Sequence, residues 1–384
     1  MHTSENDMIR FLRLDRTFAA HREDFMLAAE GVLASGQVVG GEVVSAFETE
    51  LASRTGRRFA AAVPSGTDAL RVAVSAIGVD HDWDVLVPAY SFLATAGAIR
   101  LHTANLRAVD VDDHYHMTRE AVEREIRPDR PTLIIPVGLF GNGLDTRDLA
   151  DLEDDSTVIL EDAAQSLGST HDSGPGGGFG LASTLSFAPT KVIPCFGNMG
   201  MVVTDDPEID DRARRLRRHG KGAVSEPAFA PGFNAMPNAV QAAQLLVLLG
   251  HHEARDRRRR EIVARFQAAI EGSRGIHPPP VRPGTVHAWH KFVVRHRQRD
   301  ELRAWMNQQG IQCQLHYPLT IDRETNIVSS GQTDAVNARR LACESLSLPM
   351  YPELDDIEVE RICDAIRSFD PPDMHEIFPV DLEP

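Results

Sequence analysis

Between about residues 60 and 205, short apolar segments alternate with amphipathic ones, and this alternation limits the fold more than any other feature. The apolar segments predict strands at residues 85–88, 106–111, 133–137, 158–161, 184–187 and 201–204. The stretches between them predict helices at residues 68–77, 92–100, 119–126 and 147–152. Such alternation predicts an α/β fold with a mostly parallel sheet that helices cover on both faces. Sheets of this kind bind ligands at the carboxyl ends of their strands.

After residue 205 the pattern becomes more helical. We predict helices over residues 206–218, 238–270, 299–309 and 355–368, a strand over residues 291–295, and loops over residues 174–180 and 221–237. A domain boundary near residue 240 divides the chain into a large domain of residues 1–240 and a smaller C-terminal α+β domain of residues 241–384. The tail from Pro371 onward is acidic and proline-rich, and both disorder and packing on a neighbouring subunit remain open for it.

Charge and composition exclude several classes of function. The net charge of −16 argues against nucleic-acid binding, which requires cations to displace phosphate counterions. The one dense basic run, Arg255 and residues 257–260, is typical of a solvated helix face. The four cysteines are widely spaced, and two histidine pairs, His114 with His116 and His287 with His290, lack a third ligand, so we expect no metal site. Because no apolar run approaches the roughly 18 residues of a membrane span and no signal peptide is evident, we expect a soluble, cytoplasmic protein.

The first candidate site motif is Ser65-Gly66-Thr67-Asp68, which opens the helix predicted over residues 68–77. A small, hydroxyl-bearing turn at a helix N-terminus offers free backbone N–H groups and the positive end of the helix dipole, which suit a phosphate. Serine and threonine are also the ordinary N-cap residues of helices. The motif alone therefore leaves phosphate binding and simple capping open.

The second motif is the acidic pair Glu161-Asp162, which ends an apolar strand. A carboxylate buried at the carboxyl end of a strand requires a cationic partner or hydrogen bonds. A protonated pyridine nitrogen would supply such a cation for Asp162. Capping of the following segment is the alternative.

The third motif depends on the scarcity of lysine, because all but three of the 40 basic residues are arginine. Lys191 follows a predicted strand in the segment that begins at Ser186, whereas Lys221 lies in a polar loop and Lys291 begins a strand. Lysine is the side chain that condenses with aldehydes to form a Schiff base. Lys191 is therefore the candidate for that chemistry, although most lysines lie at the surface.

Taken in order, these motifs resemble the DegT/DnrJ/EryC1/StrS family of sugar aminotransferases, which are fold type I enzymes that use pyridoxal 5'-phosphate (PLP). The resemblance extends from about Phe11 to Phe369. The matching segments are Ser35-Gly36 with Gly40, residues 65–70, Val87-Pro88 with Phe92, residues 161–165, residues 186–191, His219-Gly220, Gly232-Phe233-Asn234, Gln241-Ala242-Ala243, His316-Tyr317-Pro318 and Leu348-Pro349.

The resemblance implies a role for each matching residue. Lys191 would hold PLP as a Schiff base, Asp162 would pair with the ring nitrogen, and Gln165 would contact the ring's 3-oxygen. Further roles would be stacking on the ring for Phe92, phosphate binding for Gly66, Thr67 and Ser186, contact with the phosphate of a neighbouring subunit for Asn234, and substrate contacts for His316, Tyr317 and Met199. The implied active unit is a homodimer with two shared sites.

The implied function is transfer of an amino group from L-glutamate to a keto sugar, nucleotide-linked, in amino-sugar or secondary-metabolite biosynthesis. A related branch of the family has histidine in place of the lysine and removes a hydroxyl group, so Lys191 favours amino transfer. A keto-cyclitol acceptor, a PLP-dependent sugar deoxygenase and a regulatory protein with this fold remain alternatives. The chain departs from the family pattern at Met199, Ala235-Met236, Asn238 and Asp322, which leaves the acceptor's identity open.

Overall fold

The computed structural model describes residues 8–101, 105–222, 225, 227–324, 327–328 and 334–371. The helices are α1 Leu14–Ala20, α2 Arg22–Ser35, α3 Glu42–Thr55, α4 Gly66–Ile77, α5 Leu93–Arg100, α6 Arg119–Glu123, α7 Arg147–Ala150, α8 Pro207–Leu216, α9 Ala239–Gly250, α10 His252–Glu271, α11 Arg299–Gln308, α12 Val336–Glu344 and α13 Asp356–Arg367. The strands are β1 Phe59–Val63, β2 Asp84–Pro88, β3 Asn105–Val109, β4 Thr132–Ile134, β5 Thr157–Asp162, β6 Thr170–His171, β7 Gly174–Pro175, β8 Ala182–Ser186, β9 Gly200–Thr204, β10 Phe292–Arg295 and β11 Ser345–Leu348. The acidic tail beyond Pro371 lies outside the described residues.

The central sheet has seven strands in the order β1-β9-β8-β5-β4-β2-β3. Strands β8, β5, β4, β2 and β3 pair in parallel, and β9 runs antiparallel to both of its neighbours, β1 and β8. The predicted α/β fold with a mostly parallel sheet is thus confirmed, and every predicted strand overlaps an observed one. Strand β1 was not predicted, because its Ala60-Ala61-Ala62 core consists of a residue that is depleted in strands.

Both faces of this sheet are buried, as β1 shows. Ala61 and Val63 point into a core that α4 and α5 share, whereas Ala60 and Ala62 point into a second core beneath α2, α3 and α9. Alternate residues of a strand face opposite sides, so a strand covered on both faces is apolar throughout. The continuous apolar runs of the sequence have this physical origin.

A second, two-stranded antiparallel sheet pairs β10 with β11. Its core joins Phe292 to side chains of α10, α11 and α13, and also includes Ile9, whose backbone bridges to Ile311. Helix α9, in contrast, packs on α2 and α3. The domain boundary near residue 240 stays a prediction.

The helical region predicted over residues 238–270 is confirmed, and the structure divides it into two helices, because α9 ends at Gly250 and α10 begins at His252. Glycine is a poor helix former, which suits a break at this point. The predicted solvated face is wrong for two arginines of α10. Arg255 pairs with Glu353 at 2.5 Å, and Arg259 is buried and donates to the Val192 carbonyl. Within the described residues, no helix has both the length and the apolar character needed to cross a membrane.

Candidate active site

A cavity of about 430 Å³ opens where β5 and β8 end. Its volume lies within the range of small-molecule binding sites, roughly 300–1,000 Å³. The residues that line it include Ser65, Gly66, Thr67, Phe92, Asp162, Gln165, Ser186, Lys191, Asn198, His290, Lys291, His316 and Tyr317. The structure therefore brings together every residue predicted to contact the cofactor of its own subunit.

One end of the cavity is formed by the N-terminus of α4. Ser65 is the N-cap, and its hydroxyl accepts a hydrogen bond from the Asp68 N–H at 3.0 Å. Gly66 lies against the end of β8, since a Cβ atom at this position would approach the Ser186 Cβ to 2.7 Å. Both interpretations of the motif are compatible with this geometry: Ser65 caps the helix, while Gly66, Thr67 and Ser186 border space that suits a phosphate.

Asp162 is the last residue of β5 and is almost completely buried. Its Oδ2 accepts a hydrogen bond from the Thr95 hydroxyl at 2.7 Å, and its Oδ1 accepts one from the Ala164 N–H at 3.1 Å. Burial raises the pKa of Asp162, while these two hydrogen bonds and the charge of Lys191 act in the opposite direction. No cation of the described residues forms an ion pair with it at 4.0 Å or less, so the carboxylate suits a cationic ligand atom such as a protonated ring nitrogen.

Thr95 is a site residue that the sequence analysis missed. It lies one turn into α5 and is buried, and its hydroxyl is within 3.2 Å of Ser91 as well as bonded to Asp162. A hydroxyl among the apolar residues that begin this short helix was the available signal.

Lys191 lies in the loop that follows β8, where its N–H donates to the Ala188 carbonyl. Its side chain borders the cavity. Enclosure by the protein lowers the pKa of Lys191 to about 8, although the charge of Asp162 opposes the change. A lowered pKa increases the fraction of neutral amine at physiological pH, and the neutral amine is the form that attacks a carbonyl.

Gln165 contacts three residues that lie far from it along the chain. Its Oε1 accepts a hydrogen bond from the Phe140 N–H and lies 3.0 Å from His290 Nδ1, and its Nε2 donates to the Tyr317 hydroxyl at 3.3 Å. Burial lowers the pKa of His290 well below its usual range, which keeps this imidazole neutral. The sequence had offered His290 only as half of a possible metal pair with His287, whose ring instead stacks on Trp289 at 4.1 Å.

The outer wall of the cavity is aromatic. Phe92 is 49% exposed, and its ring centre lies 5.6 Å from that of Tyr317. The Tyr317 N–H donates to the Tyr90 hydroxyl, which in turn donates to the His316 carbonyl at 2.6 Å. His316 Nδ1 lies 2.9 Å from the Ser347 hydroxyl. Two of the three predicted substrate residues, His316 and Tyr317, therefore border the cavity.

Two predicted site residues lie elsewhere. Met199 is fully buried in the hydrophobic core with Phe187, and it does not line the cavity, so the predicted substrate contact is corrected. An unbranched apolar side chain beside a strand end packs into the core, because nothing polar holds it at the cavity. Asn234 is exposed and outside the cavity lining. Its expected contact is with a neighbouring subunit, and that remains a prediction.

One cavity at the strand ends of an α/β sheet thus holds a lysine, a buried carboxylate and a helix N-terminus that can bind a phosphate. This combination is typical of the PLP-dependent enzymes of fold type I. Comparison with known proteins agrees with this class. Residues 19–367 match the DegT/DnrJ/EryC1/StrS aminotransferase family, and the chain belongs to that family. It is a PLP-dependent aminotransferase.

Individual relatives cover nearly the whole chain. The dTDP-3-amino-3,4,6-trideoxy-alpha-D-glucose transaminase of Streptomyces venezuelae is 32% identical over 370 residues, which cover 95% of this chain and 97% of that protein. A pleiotropic regulatory protein of Geobacillus stearothermophilus is 30% identical over 370 residues, with coverage of 94% and 98%. The crystal structure of DesV from S. venezuelae in complex with a ketimine intermediate is similar with a TM-score of 0.89 at 32% identity, and the match covers 94% of this chain and 98% of that chain.

Proposed function

We propose that this protein transfers the amino group of L-glutamate to the ketone of a nucleotide-linked sugar. The observation that carries the proposal is the convergence of Lys191 and Asp162 on one cavity, with the N-terminus of α4 at its end. The relative from Streptomyces venezuelae is named as a transaminase of a dTDP-linked sugar, which supports a nucleotide-linked acceptor. The product would be an amino sugar for a larger biosynthetic route.

The residues present fit PLP. Lys191 would hold it covalently through Nζ, Asp162 would face its ring nitrogen, Gln165 its 3-oxygen and Phe92 its ring, with Gly66, Thr67 and Ser186 at the phosphate. When bound, PLP acts as an electron sink that stabilises negative charge on the donor's α-carbon. Buried Asp162, with no ion-pair partner among the described residues, is the observation that supports the fit, because an unpaired carboxylate is costly to bury.

Each of the chain's own groups then has a defined task. Lys191 Nζ, with a pKa lowered to about 8, is the base that takes a proton from the donor's α-carbon and returns one later. Thr95 and the Ala164 N–H hold both oxygens of Asp162, so the carboxylate keeps one orientation. The side chains of Phe92 and Tyr317 form an aromatic wall beside the cavity in which the proton transfers take place.

We also propose that the active unit is a homodimer in the cytoplasm. Asn234 is exposed and would reach the phosphate site of the partner subunit. Helix α2 supports an interface, because it exposes the large apolar side chains of Met26, Leu27 and Leu33. Analytical ultracentrifugation of the purified protein tests this state, and a monomer at micromolar concentration would contradict it.

The central experiment is spectroscopic. Purified protein with PLP should absorb near about 410–430 nm, as an imine of the cofactor does, and L-glutamate should remove that band. Mass spectrometry with a panel of keto-sugar nucleotides and keto-cyclitols should then find an amine in a sugar-nucleotide product. A deoxygenated product without amine identifies the alternative reaction, and a protein that stays colourless with added PLP contradicts the proposal altogether.

A further inference from the structure

The cavity contains a second lysine that the proposed mechanism does not use. Lys291 precedes β10 and is only 5% exposed, and its Nζ lies 5.4 Å from the centre of the Phe11 ring. Its side chain lines the main cavity. Within the described residues, no carboxylate forms an ion pair with Lys291. From the sequence, Lys291 is expected only to begin a strand, whereas in the structure it also lines the cavity.

A buried ammonium group without a carboxylate is unfavourable, and a single aromatic ring compensates only part of the cost. Burial and the nearby charge of Lys191 accordingly lower the pKa of Lys291 to about 7. An anion that entered the cavity would stabilise the protonated form. The site is therefore built to receive negative charge that the chain itself does not supply.

Lys291 is the group best placed to bind an entering anion when the other charged and titratable residues that line the cavity are considered. Asp162 is the only carboxylate among the described lining residues, and burial keeps His290 and His316 neutral by lowering their pKa values. Burial also raises the pKa of Tyr317 above its usual value, so its hydroxyl stays protonated. Lys191 is committed to the cofactor in the proposed function.

The position of Lys291 indicates which anion it binds. A small cavity adjoining the main one is lined by Phe11, Thr190, His290 and Lys291 but by none of the residues at the α4 N-terminus. Lys291 therefore also borders space that the α4 N-terminus does not line. Lys191 and Lys291 line the same main cavity, and the carbon that Lys191 deprotonates carries the donor's α-carboxylate one bond away.

We propose that Lys291 binds the α-carboxylate of the amino donor, an inference that rests on the proposed aminotransferase function. It makes Lys291 a residue that selects α-amino acids as donors, whereas simple amines would lack the group that pairs with it. A charge-assisted hydrogen bond to a carboxylate also fixes the α-carbon near Lys191 Nζ.

Three variants test the proposal: Lys291→Met, which removes the charge at similar size, Lys291→Arg, which keeps it, and Lys221→Met, a matched change at an exposed lysine. Single-turnover absorbance measures the apparent Kd for L-glutamate and for L-glutamine, which share the α-carboxylate but differ in side-chain charge. We expect Lys291→Met to weaken both donors by about 10- to 100-fold, with the KM of the keto sugar unchanged. Lys291→Arg should stay within about fivefold of the wild type, and Lys221→Met should be unchanged.

Other patterns overturn the proposal. Weakening of L-glutamate alone would assign Lys291 to the side-chain carboxylate, and a raised KM for the keto sugar alone would assign it to the acceptor. Equal Kd values for wild type and Lys291→Met would leave it no role in donor binding. Thermal unfolding of each variant checks that the fold is retained.

Calorimetric binding of 2-oxoglutarate provides a readout that does not depend on turnover. Wild-type affinity should fall as the pH rises above about 7, because Lys291 loses its proton, and Lys291→Arg should remove this part of the dependence and leave only the part that follows Lys191, whose pKa is lowered to about 8. A wild-type affinity that is flat from about pH 6 to 8 would contradict the proposal. If neither donor reacts with any form of the protein, the proposed function fails, and the calorimetric comparison still decides whether Lys291 binds a 2-oxo acid.

Discussion

Glu161 and Asp162 are neighbours on β5, yet they serve the two faces of the sheet in different ways. Successive side chains of a strand point to opposite faces, so the two carboxylates enter different surroundings. Glu161 accepts hydrogen bonds from the N–H groups of Gly177 and Phe179 at 3.1 Å and from the Ser183 hydroxyl at 3.0 Å. Asp162 accepts two hydrogen bonds and borders the cavity.

The two residues are equally buried, at 2% and 4% exposure, and burial raises the pKa of both. Burial of a carboxylate therefore does not identify a ligand site. The difference lies in what surrounds each group: the chain itself supplies three donors to Glu161, whereas Asp162 faces open volume beside Lys191. A functional carboxylate is recognised by the space left for a partner.

The glycine-rich run of residues 174–180 supplies the two backbone N–H donors of Glu161. We predicted a loop there, and the structure folds its first two residues into β7 and turns the others around Glu161. Gly177 has a φ of +93°, and a Cβ atom at Gly180 would lie 2.4 Å from the Ile159 carbonyl oxygen. Glycine is required because the backbone itself approaches the strand to donate its N–H groups.

The largest expected effect is at the functional face. Lys191→Ala should lower kcat by at least about 1,000-fold, because it removes both the covalent link to the cofactor and the base at the α-carbon. The absorbance near about 410–430 nm should be lost as well. The free energy of unfolding without cofactor should not fall, since an enclosed amine is removed. Lys221→Ala is the control, and a Lys191→Ala protein that completes multiple turnovers would refute the mechanism.

Asp162→Asn should have the next largest effect. The amide keeps a similar shape but no negative charge, so it cannot keep a ring nitrogen protonated, and kcat should fall by roughly 100- to 1,000-fold. Chemical denaturation should show a change in stability of less than about 1 kcal/mol. Full activity in this variant would mean that the carboxylate of Asp162, like that of Glu161, has a structural role and none in the chemistry.

Glu161→Gln should affect folding rather than chemistry. The amide oxygen can replace Oε2 and keep the hydrogen bonds from Phe179 and Ser183, but the NH₂ group then faces the Gly177 N–H, so we expect a loss of about 1–2 kcal/mol in the free energy of unfolding. Absorbance per folded molecule should stay at the wild-type value. Glu120→Gln, at an exposed position, is the matched control and should change stability by less than about 0.5 kcal/mol. An inactive but fully stable Glu161→Gln protein would show that Glu161 acts in the chemistry and not in folding.

Thr95→Val should give the smallest effect. It removes the hydroxyl that donates to Asp162 Oδ2 while keeping the shape of the side chain, so kcat should fall by about three- to tenfold, in line with one hydrogen bond. Thr95→Ser retains the hydroxyl and should restore most of the rate. A Thr95→Ser protein as slow as Thr95→Val would show that the methyl group matters and the hydrogen bond does not.

The succession of strands and helices along residues 60–205 was predictable, because strands and helices have different periodicities and periodicity is a local property of the chain. The features that were not predicted have local causes too. Strand β1 is rich in alanine, and the junction of α9 and α10 at His251 lies inside a continuous helical pattern. Arg255 and Arg259 were misassigned because an arginine run looks solvated until its partners, Glu353 and the Val192 carbonyl, are known.

By itself, the sequence determined that Asp162 ends one strand and that Lys191 follows another, since apolar segments precede both, and the scarcity of lysine singled out Lys191. Only the tertiary structure showed that Thr95 bonds to Asp162 and that His290 and Lys291 line the same cavity. Thr95 lies 67 residues from Asp162, and His290 lies 125 residues from Gln165. Contacts of that separation depend on how helices and sheets pack together, and periodicity along the chain carries no information about such packing.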